Sequence, residues 1–267
     1  MHVVILCGGQ GTRLKEETQF RPKALVEIGS RPILWHIMKL YAQQGFREFI
    51  LCLGYKGEMI KRYFLDYEVL QNDLTITLGP EKRVTILGTG EREDWTVTCV
   101  DTGMDTPTGG RLHRIQSFIP DETFMVTYGD GVSNLDIRRL LRFHEEKGKI
   151  ATVTGVRPLS RFGELRVESG LATAFSKGSQ VAAGWIDGGF FVFNRRIFEY
   201  LDDHAWLSGD VRDVQGRATA VLQQLIDDHE LAVYEHDGFW ECLDTPRDLE
   251  ILTELWKTGT AEWKTWT

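Results

Sequence analysis

The sequence predicts an α/β fold: a mixed, mainly parallel sheet flanked by helices, with a small antiparallel extension in the second half. Three observations carry this expectation. Apolar runs of strand length alternate with amphipathic stretches, the pattern of a parallel sheet covered by helices. The first run, Val3–Cys7, is apolar throughout, as in a strand buried on both faces. Beyond residue 157 shorter segments alternate with turns, which is the habit of antiparallel strands.

Taken in order, Val3–Cys7 is the first strand and a glycine-rich loop follows it. Pro32 opens a helix that runs to about Gln44, where Gly45 stops it. Glu48–Leu53 is the second strand and Glu58–Asp66 the second helix. Thr96–Asp101, Thr123–Thr127 and Ile150–Val156 continue the strands, with helices at Gly110–Phe118 and Leu135–Glu146 between them. In the second half, Gly163–Val167, Leu171–Phe175 and Gly189–Phe193 are expected to be antiparallel strands. Arg195–Asp203, Ala218–Asp228 and Arg247–Trp256 read as helices, and Asp202–Arg217 as an exposed polar loop. The 267 residues suit a single domain of two halves, 1–157 and 158–267.

Composition excludes some classes of function. A net charge of −8 argues against broad nucleic-acid binding, since phosphates would be repelled. No apolar stretch approaches the roughly 18 residues needed to span a bilayer, and the N-terminal run lacks the basic flank and cleavage site of a signal peptide. The four cysteines (Cys7, Cys52, Cys99, Cys242) show no metal-ligand spacing and are expected to be reduced, in a cytoplasmic protein. None of the seven histidines belongs to a spaced ligand set, and His36 is expected to be a core residue with a satisfied ring. Trp256, Trp263 and Trp266 are placed to pack the tail onto the body or onto a neighbouring subunit.

The most informative segment is Leu6-Cys7-Gly8-Gly9-Gln10-Gly11-Thr12-Arg13-Leu14, directly after the first strand. Glycines there let successive N–H groups converge on one anion, and an open α/β sheet binds nucleotides at such a turn. Two familiar phosphate loops fail on spacing. Leu14 stands where the dinucleotide fingerprint needs a third glycine, which also disfavours an NAD-dependent oxidoreductase; the Gly-Lys-Ser/Thr ending of the ATPase loop is absent. Arg13 and the run Arg21-Pro22-Lys23 add fixed cations, which would neutralise charge on an α-phosphate and a leaving pyrophosphate.

These residues resemble the signature of the sugar-1-phosphate nucleotidyltransferases: Gly8-Gly9-x-Gly11-Thr12-Arg13-Leu14, then Pro22-Lys23. Val26-Glu27-Ile28-Gly29, Gly54-Tyr55-Lys56-Gly57, Val100-Asp101-Thr102-Gly103, Thr108-Gly109-Gly110-Arg111-Leu112, Thr127-Tyr128-Gly129-Asp130-Gly131 and Trp263-Lys264-Thr265-Trp266 look like the glucose-1-phosphate cytidylyltransferase branch. The resemblance covers essentially the whole chain. It implies a Rossmann-like nucleotide-diphospho-sugar transferase fold, Mg²⁺ as cofactor, CTP and a phosphorylated acceptor as partners, and a homo-oligomer. It gives Arg13 and Lys23 catalytic roles. Leu6, Gly8, Gly9, Gly11, Thr12, Tyr128 and Gly129 join them around the nucleotide, with Thr108, Gly109, Gly110 and Arg111 at the base. The glycine N–H groups at a helix start suit that last task, although Arg111 reads equally as a surface residue.

Asp130 and Asp244 each follow a strand-like segment, and the resemblance assigns both to the metal. Their ordinary readings are a turn aspartate and a helix N-cap; Asp105 and Asp136 keep such readings. The acceptor half departs from the family. Phe175-Ser176-Lys177-Gly178-Ser179 stands where relatives carry a Glu-Lys-Pro run after the Phe, and Asp187, before Gly188 and Gly189, stands where they carry Asn. An ionised Asp reverses the donor pattern of an Asn. The default acceptor by resemblance is glucose 1-phosphate, giving CDP-glucose. The departures predict instead a different phosphorylated small molecule, sugar or not, with glucose 1-phosphate a poor substrate. A nucleotide-binding subunit without catalysis is the alternative of another class.

Overall fold

The computed structural model describes residues 1–87, 92–158, 163–168, 171–177, 184–209, 212 and 220–266, with the backbone alone for 163–168 and 171–177. Seven strands form the central sheet: β1 (His2–Leu6), β2 (Glu48–Leu53), β3 (Thr96–Asp101), β4 (Thr123–Tyr128), β5 (Ala151–Val156), β6 (Ile186–Asn194) and β7 (Leu231–His236). Their spatial order is β7-β5-β6-β4-β1-β2-β3. Pairing is parallel across β3, β2, β1 and β4, and again between β5 and β7. The strand β6 runs antiparallel between β5 and β4 and makes the sheet mixed.

Alternation within β1 divides the core. Val3 and Ile5 face one layer, with Ile33, Ile37, Met38 and Tyr41 of α1 (Ile33–Gln43) packed over them. Val4 and Leu6 face the other, against Leu112 of α2 (Thr108–Arg114) and Phe124 and Val126 of β4. Both faces are covered, and that is why these parallel strands read as unbroken apolar runs. Pro32 caps α1 with φ −59°, and Gly45 ends the turn after it with φ +99°. A helix at Gly57–Leu65 follows β2, and α3 (Ile137–Lys147) is N-capped by Asp136, whose carboxylate accepts the Arg139 N–H.

Several second-half expectations change. Gly163–Glu168 and Leu171–Lys177 form a separate antiparallel ribbon, but Gly189–Phe193 belongs to β6 in the central sheet. The expected helix at Arg195–Asp203 is a 3-10 stretch, Arg195–Tyr200, and Thr108–Arg114 ends before a further 3-10 turn at Gln116–Phe118. Val221–Asp227 is helical, as read. Of the expected loop Asp202–Arg217, residues 210, 211 and 213–217 lie outside the described residues, and the described part is not simply exposed and polar. Within it Leu207 is fully buried, the Leu207 N–H donates to Thr108 Oγ1 at 3.0 Å, and the Gly110 N–H donates to Ala205 O at 2.9 Å.

The tail docks on the body. After α4 (Pro246–Lys257), Trp263 is buried and its Nε1–H donates to His36 Nδ1 at 3.4 Å, while His36 Nε2–H donates to Ile28 O at 3.0 Å. Trp256 stacks on Trp263 at 6.3 Å and meets the His36 ring edge-on at 4.6 Å. With both nitrogens occupied in a dry pocket, burial lowers the His36 pKa to about 4.

Candidate active site

The glycine-rich loop crosses the carboxyl end of β1, where β4 and β2 flank it on either side. Its glycines do different work. Gly11 takes φ +62°, and a Cβ there would lie 2.8 Å from the Thr18 side chain. A Cβ on Gly8 would fall 2.0 Å from Arg111 Nη1, whereas a Cβ on Gly9 would meet nothing within 4 Å. Gly9 therefore presents bare backbone to the cavity.

Arg111 explains that crowding: it is buried at the edge of the cavity that it helps to line, with its guanidinium spent on the protein. Only 4% of it is accessible. Its Nη1 donates to Leu53 O (3.0 Å), Thr102 Oγ1 (2.8 Å) and Gly103 O (2.8 Å), and its Nη2 donates to Gly8 O (3.2 Å) and Met104 O (3.0 Å). The guanidinium ties the glycine loop to the ends of β2 and β3, and burial lowers its pKa. Gly109 and Gly110, unlike Arg111, do not line the cavity. Added Cβ atoms would lie 2.7 Å from Ala205 O and 2.4 Å from Asp203 O, so both glycines admit the 203–207 loop against α2. The expected open N–H at Gly110 is spent on that loop.

A cavity of about 480 Å³ lies over the loop. Leu6, Gly8, Gly9, Gly11, Thr12 and Arg13 form its floor, and Lys23, Thr108, Tyr128 and Gly129 part of its walls. Sequence reasoning missed Met104, Asp105, Thr106 and Pro107, which follow the Val100–Gly103 motif directly, and Trp206, hidden in the segment read as a loop. Trp206 is 47% exposed at the rim.

Asp130 and Asp244 are brought together by a two-stranded pairing. Gly131–Ser133 runs antiparallel to Trp240–Cys242, and the Leu243 N–H donates to Asp130 O at 2.8 Å, so the residues before one strand and after the other share an end. Asp244 is not the N-cap of α4. Thr245 holds that position, in a capping box with Asp248, and the Asp248 carboxylate accepts the Asp244 N–H at 3.0 Å. Both aspartates point at Lys23: its Nζ donates to Asp130 Oδ2 at 2.7 Å and to Asp244 Oδ1 at 2.5 Å. Arg13 Nη1 pairs with Asp244 Oδ2 at 2.8 Å. Burial alone would lower the Lys23 pKa, but the two carboxylates outweigh it and hold the ammonium above its ordinary value. Two carboxylates around one cation are the hard oxygen donors that Mg²⁺ accepts. Among the described residues no third His, Cys, Asp or Glu joins them, so water and phosphate oxygens would complete the coordination.

A second cavity, of about 200 Å³, meets the first at Arg13, Tyr128, Asp130 and Asp244. Asp187, Gly188 and Gly189 line it, and Trp240 Nε1–H donates to Gly188 O at 2.8 Å. Lys177 ends its ribbon strand opposite Gly163, and its side chain and residues 178 and 179 lie outside the described residues. Asp187 Oδ1 accepts the Gly189 N–H at 2.8 Å, and Asp187 Oδ2 faces the Tyr128 hydroxyl at 3.4 Å, which itself lies 3.1 Å from Ser208 Oγ. Protein crowded around this solvent-open carboxyl raises its pKa. The chain thus places a donor at each oxygen of this carboxylate.

Residues 2–255 match the Nucleotidyl transferase family. The chain belongs to that family. This nucleotidyltransferase is 46% identical, over the full length of both chains, to a probable glucose-1-phosphate cytidylyltransferase of Bacillus subtilis. It is 43% identical, again over both full lengths, to the glucose-1-phosphate cytidylyltransferase of Salmonella typhi. The crystal structure of HddC from Yersinia pseudotuberculosis complexed with GMP-PN superposes with a TM-score of 0.63 at 23% identity, covering 96% of this chain and 99% of that one. That likeness bears out the fold. Members of the family generally use divalent metal ions. No helix among the described residues of this nucleotidyltransferase is long and apolar enough to cross a membrane.

Proposed function

We propose that this nucleotidyltransferase transfers CMP from CTP to glucose 1-phosphate, releasing pyrophosphate and forming CDP-glucose. The observation that carries the reading is the meeting of Arg13, Lys23, Asp130 and Asp244 where a nucleotide-sized cavity joins a smaller one. Full-length similarity to two glucose-1-phosphate cytidylyltransferases supports both the nucleotide and the acceptor. In this reading CTP lies over Gly8–Thr12 and the acceptor occupies the cavity beside Asp187–Gly189. An acceptor phosphate oxygen attacks the α-phosphorus in line, the bond to the bridging oxygen breaks, and pyrophosphate leaves with that electron pair. The acceptor phosphate is already anionic, so no side chain has to serve as nucleophile or base. Arg13 and Lys23 neutralise charge spreading over the transferring group. Asp130 and Asp244 would hold Mg²⁺, which supplies charge neutralisation and a template for the phosphate oxygens.

Residues 1–157 then serve the nucleotide and 158–267 the acceptor, with Asp244 reaching back to the first half. The free cysteines support a cytoplasmic enzyme. Exposed Leu65, Leu70, Leu78 and Leu87 support a homo-oligomer.

The test is pyrophosphate release with each nucleoside triphosphate, crossed against a panel of sugar 1-phosphates and other phosphorylated small molecules. CTP with glucose 1-phosphate is expected to reach a kcat/KM of about 10⁴ M⁻¹s⁻¹ or more. Fast turnover of another acceptor, with glucose 1-phosphate poor, would make Asp187 a specificity change. Nucleotide binding without pyrophosphate release in any pairing would leave a non-catalytic subunit.

A further inference from the structure

The structure assigns Lys23 a second role: in the enzyme without nucleotide it is the resident counter-ion of the carboxylate pair, and a divalent cation gains that pair only as an incoming triphosphate draws the ammonium away. This rests on the reading of Asp130 and Asp244 as metal ligands. The Nζ lies 2.7 Å from one carboxylate and 2.5 Å from the other, in the space a shared cation would fill. A magnesium ion needs its oxygens at about 2.0–2.1 Å, so an ion bridging the same two oxygens from the side that Nζ holds would overlap the ammonium, and the two cannot share this space.

Charge makes the exchange a joint one. Lys23 and Arg13 together balance Asp130 and Asp244. A divalent ion arriving alone must expel a lysine whose side chain is 15% exposed, with no new anion to receive it. A triphosphate arriving alone meets two carboxylates already sharing their cation. Together they complete a swap: the carboxylates trade the ammonium for the divalent ion, and the ammonium trades the carboxylates for phosphate oxygens. Lys23 lies in the wall of the same cavity as Gly9 and Gly11, so a side-chain rotation makes the trade. By linkage, nucleotide must tighten the metal by the factor by which metal tightens nucleotide.

The experiment titrates Mn²⁺ alone, read by the EPR signal of the free ion, into full-length wild type, Lys23→Met and Lys23→Gln, with and without CTP. Both variants are expected to bind Mn²⁺ at least about tenfold more tightly than wild type when no nucleotide is present; CTP, after subtraction of the Mn²⁺ that free CTP chelates, adds phosphate ligands in all three proteins and should tighten wild type by at least about tenfold more than the variants. Loss of the tight site in Lys23→Met/Asp130→Asn would assign it to this pair. Two outcomes overturn the proposal. One is a Lys23 variant with wild-type Tm that binds Mn²⁺ no more tightly than wild type; the other is a tight site that survives Asp130→Asn. Generalised loosening by substitution would weaken Mn²⁺ binding, the opposite sign. Failure to release pyrophosphate from CTP and glucose 1-phosphate would sink the proposed reaction and leave these isotherms as they stand.

Discussion

At the scale of single residues, charge placement decides function and buried hydrogen bonds decide shape. Lys23→Ala or Arg13→Ala is expected to cost at least about a hundredfold in kcat, the scale of removing a charge aimed at a transition state; near-normal kcat in both would remove these cations from the mechanism. Arg111 belongs to the other class. Arg111→Met leaves acceptors on three loops without their donor, and should lower stability by about 2–4 kcal/mol while raising KM for CTP. Arg111→Lys should recover part of the Tm but less of the KM, because an ammonium cannot span the fork of carbonyls. The family motif was legible in the sequence; the reason for its arginine was not. Its partners are backbone carbonyls at the end of β2, just past β3 and in the glycine loop, brought together only by the sheet. Trp206 was illegible for a similar cause, since a lone aromatic in a polar stretch carries no periodic signal. Trp206→Ala is expected to raise KM for CTP about tenfold with kcat little changed, if its ring covers the base. An unchanged KM would place the base elsewhere.

At the scale of elements, strands buried on both faces announced themselves as apolar runs, and β1, β2 and β4 lie where the sequence put them. The order of pairing did not announce itself. The strand β6 looked like part of an outlying antiparallel region because its length and turns are local, while its insertion between β5 and β4 is a long-range fact. The start of α4 shows a signal that was present and overlooked. Thr245-Pro246-Arg247-Asp248 carries a capping-box pattern with proline at the first helical position, and this displaces the N-cap from Asp244. Thr245→Ala should cost about 1 kcal/mol of stability and also lower kcat, because the same turn aims the Asp244 carboxylate. A drop in Tm with unchanged kcat would show that the carboxylate is held by other means.

At the scale of the whole molecule, the tail and the body are joined through a histidine that resists protonation. His36 titrates at an ordinary value when unfolded and at about 4 when folded, so the unfolded chain binds more protons between those two values. Stability should therefore fall as pH drops from about 6.5 toward 4, by roughly 3 kcal/mol in all. His36→Gln should flatten that part of the Tm-versus-pH curve; an equally steep curve would assign the acid sensitivity to other groups. The same long reach governs the carboxylate pair. Lys23 meets Asp130 across 107 residues of chain and Asp244 across 221. During synthesis, the glycine loop and Lys23 leave the ribosome early, and Asp130 follows them. A nascent chain halted before residue 244 lacks one of the two carboxylates and the buried Leu252 and Trp263 as well. The residue that completes the carboxylate pair and those that seal the core against His36 therefore leave the ribosome together, near the end of translation.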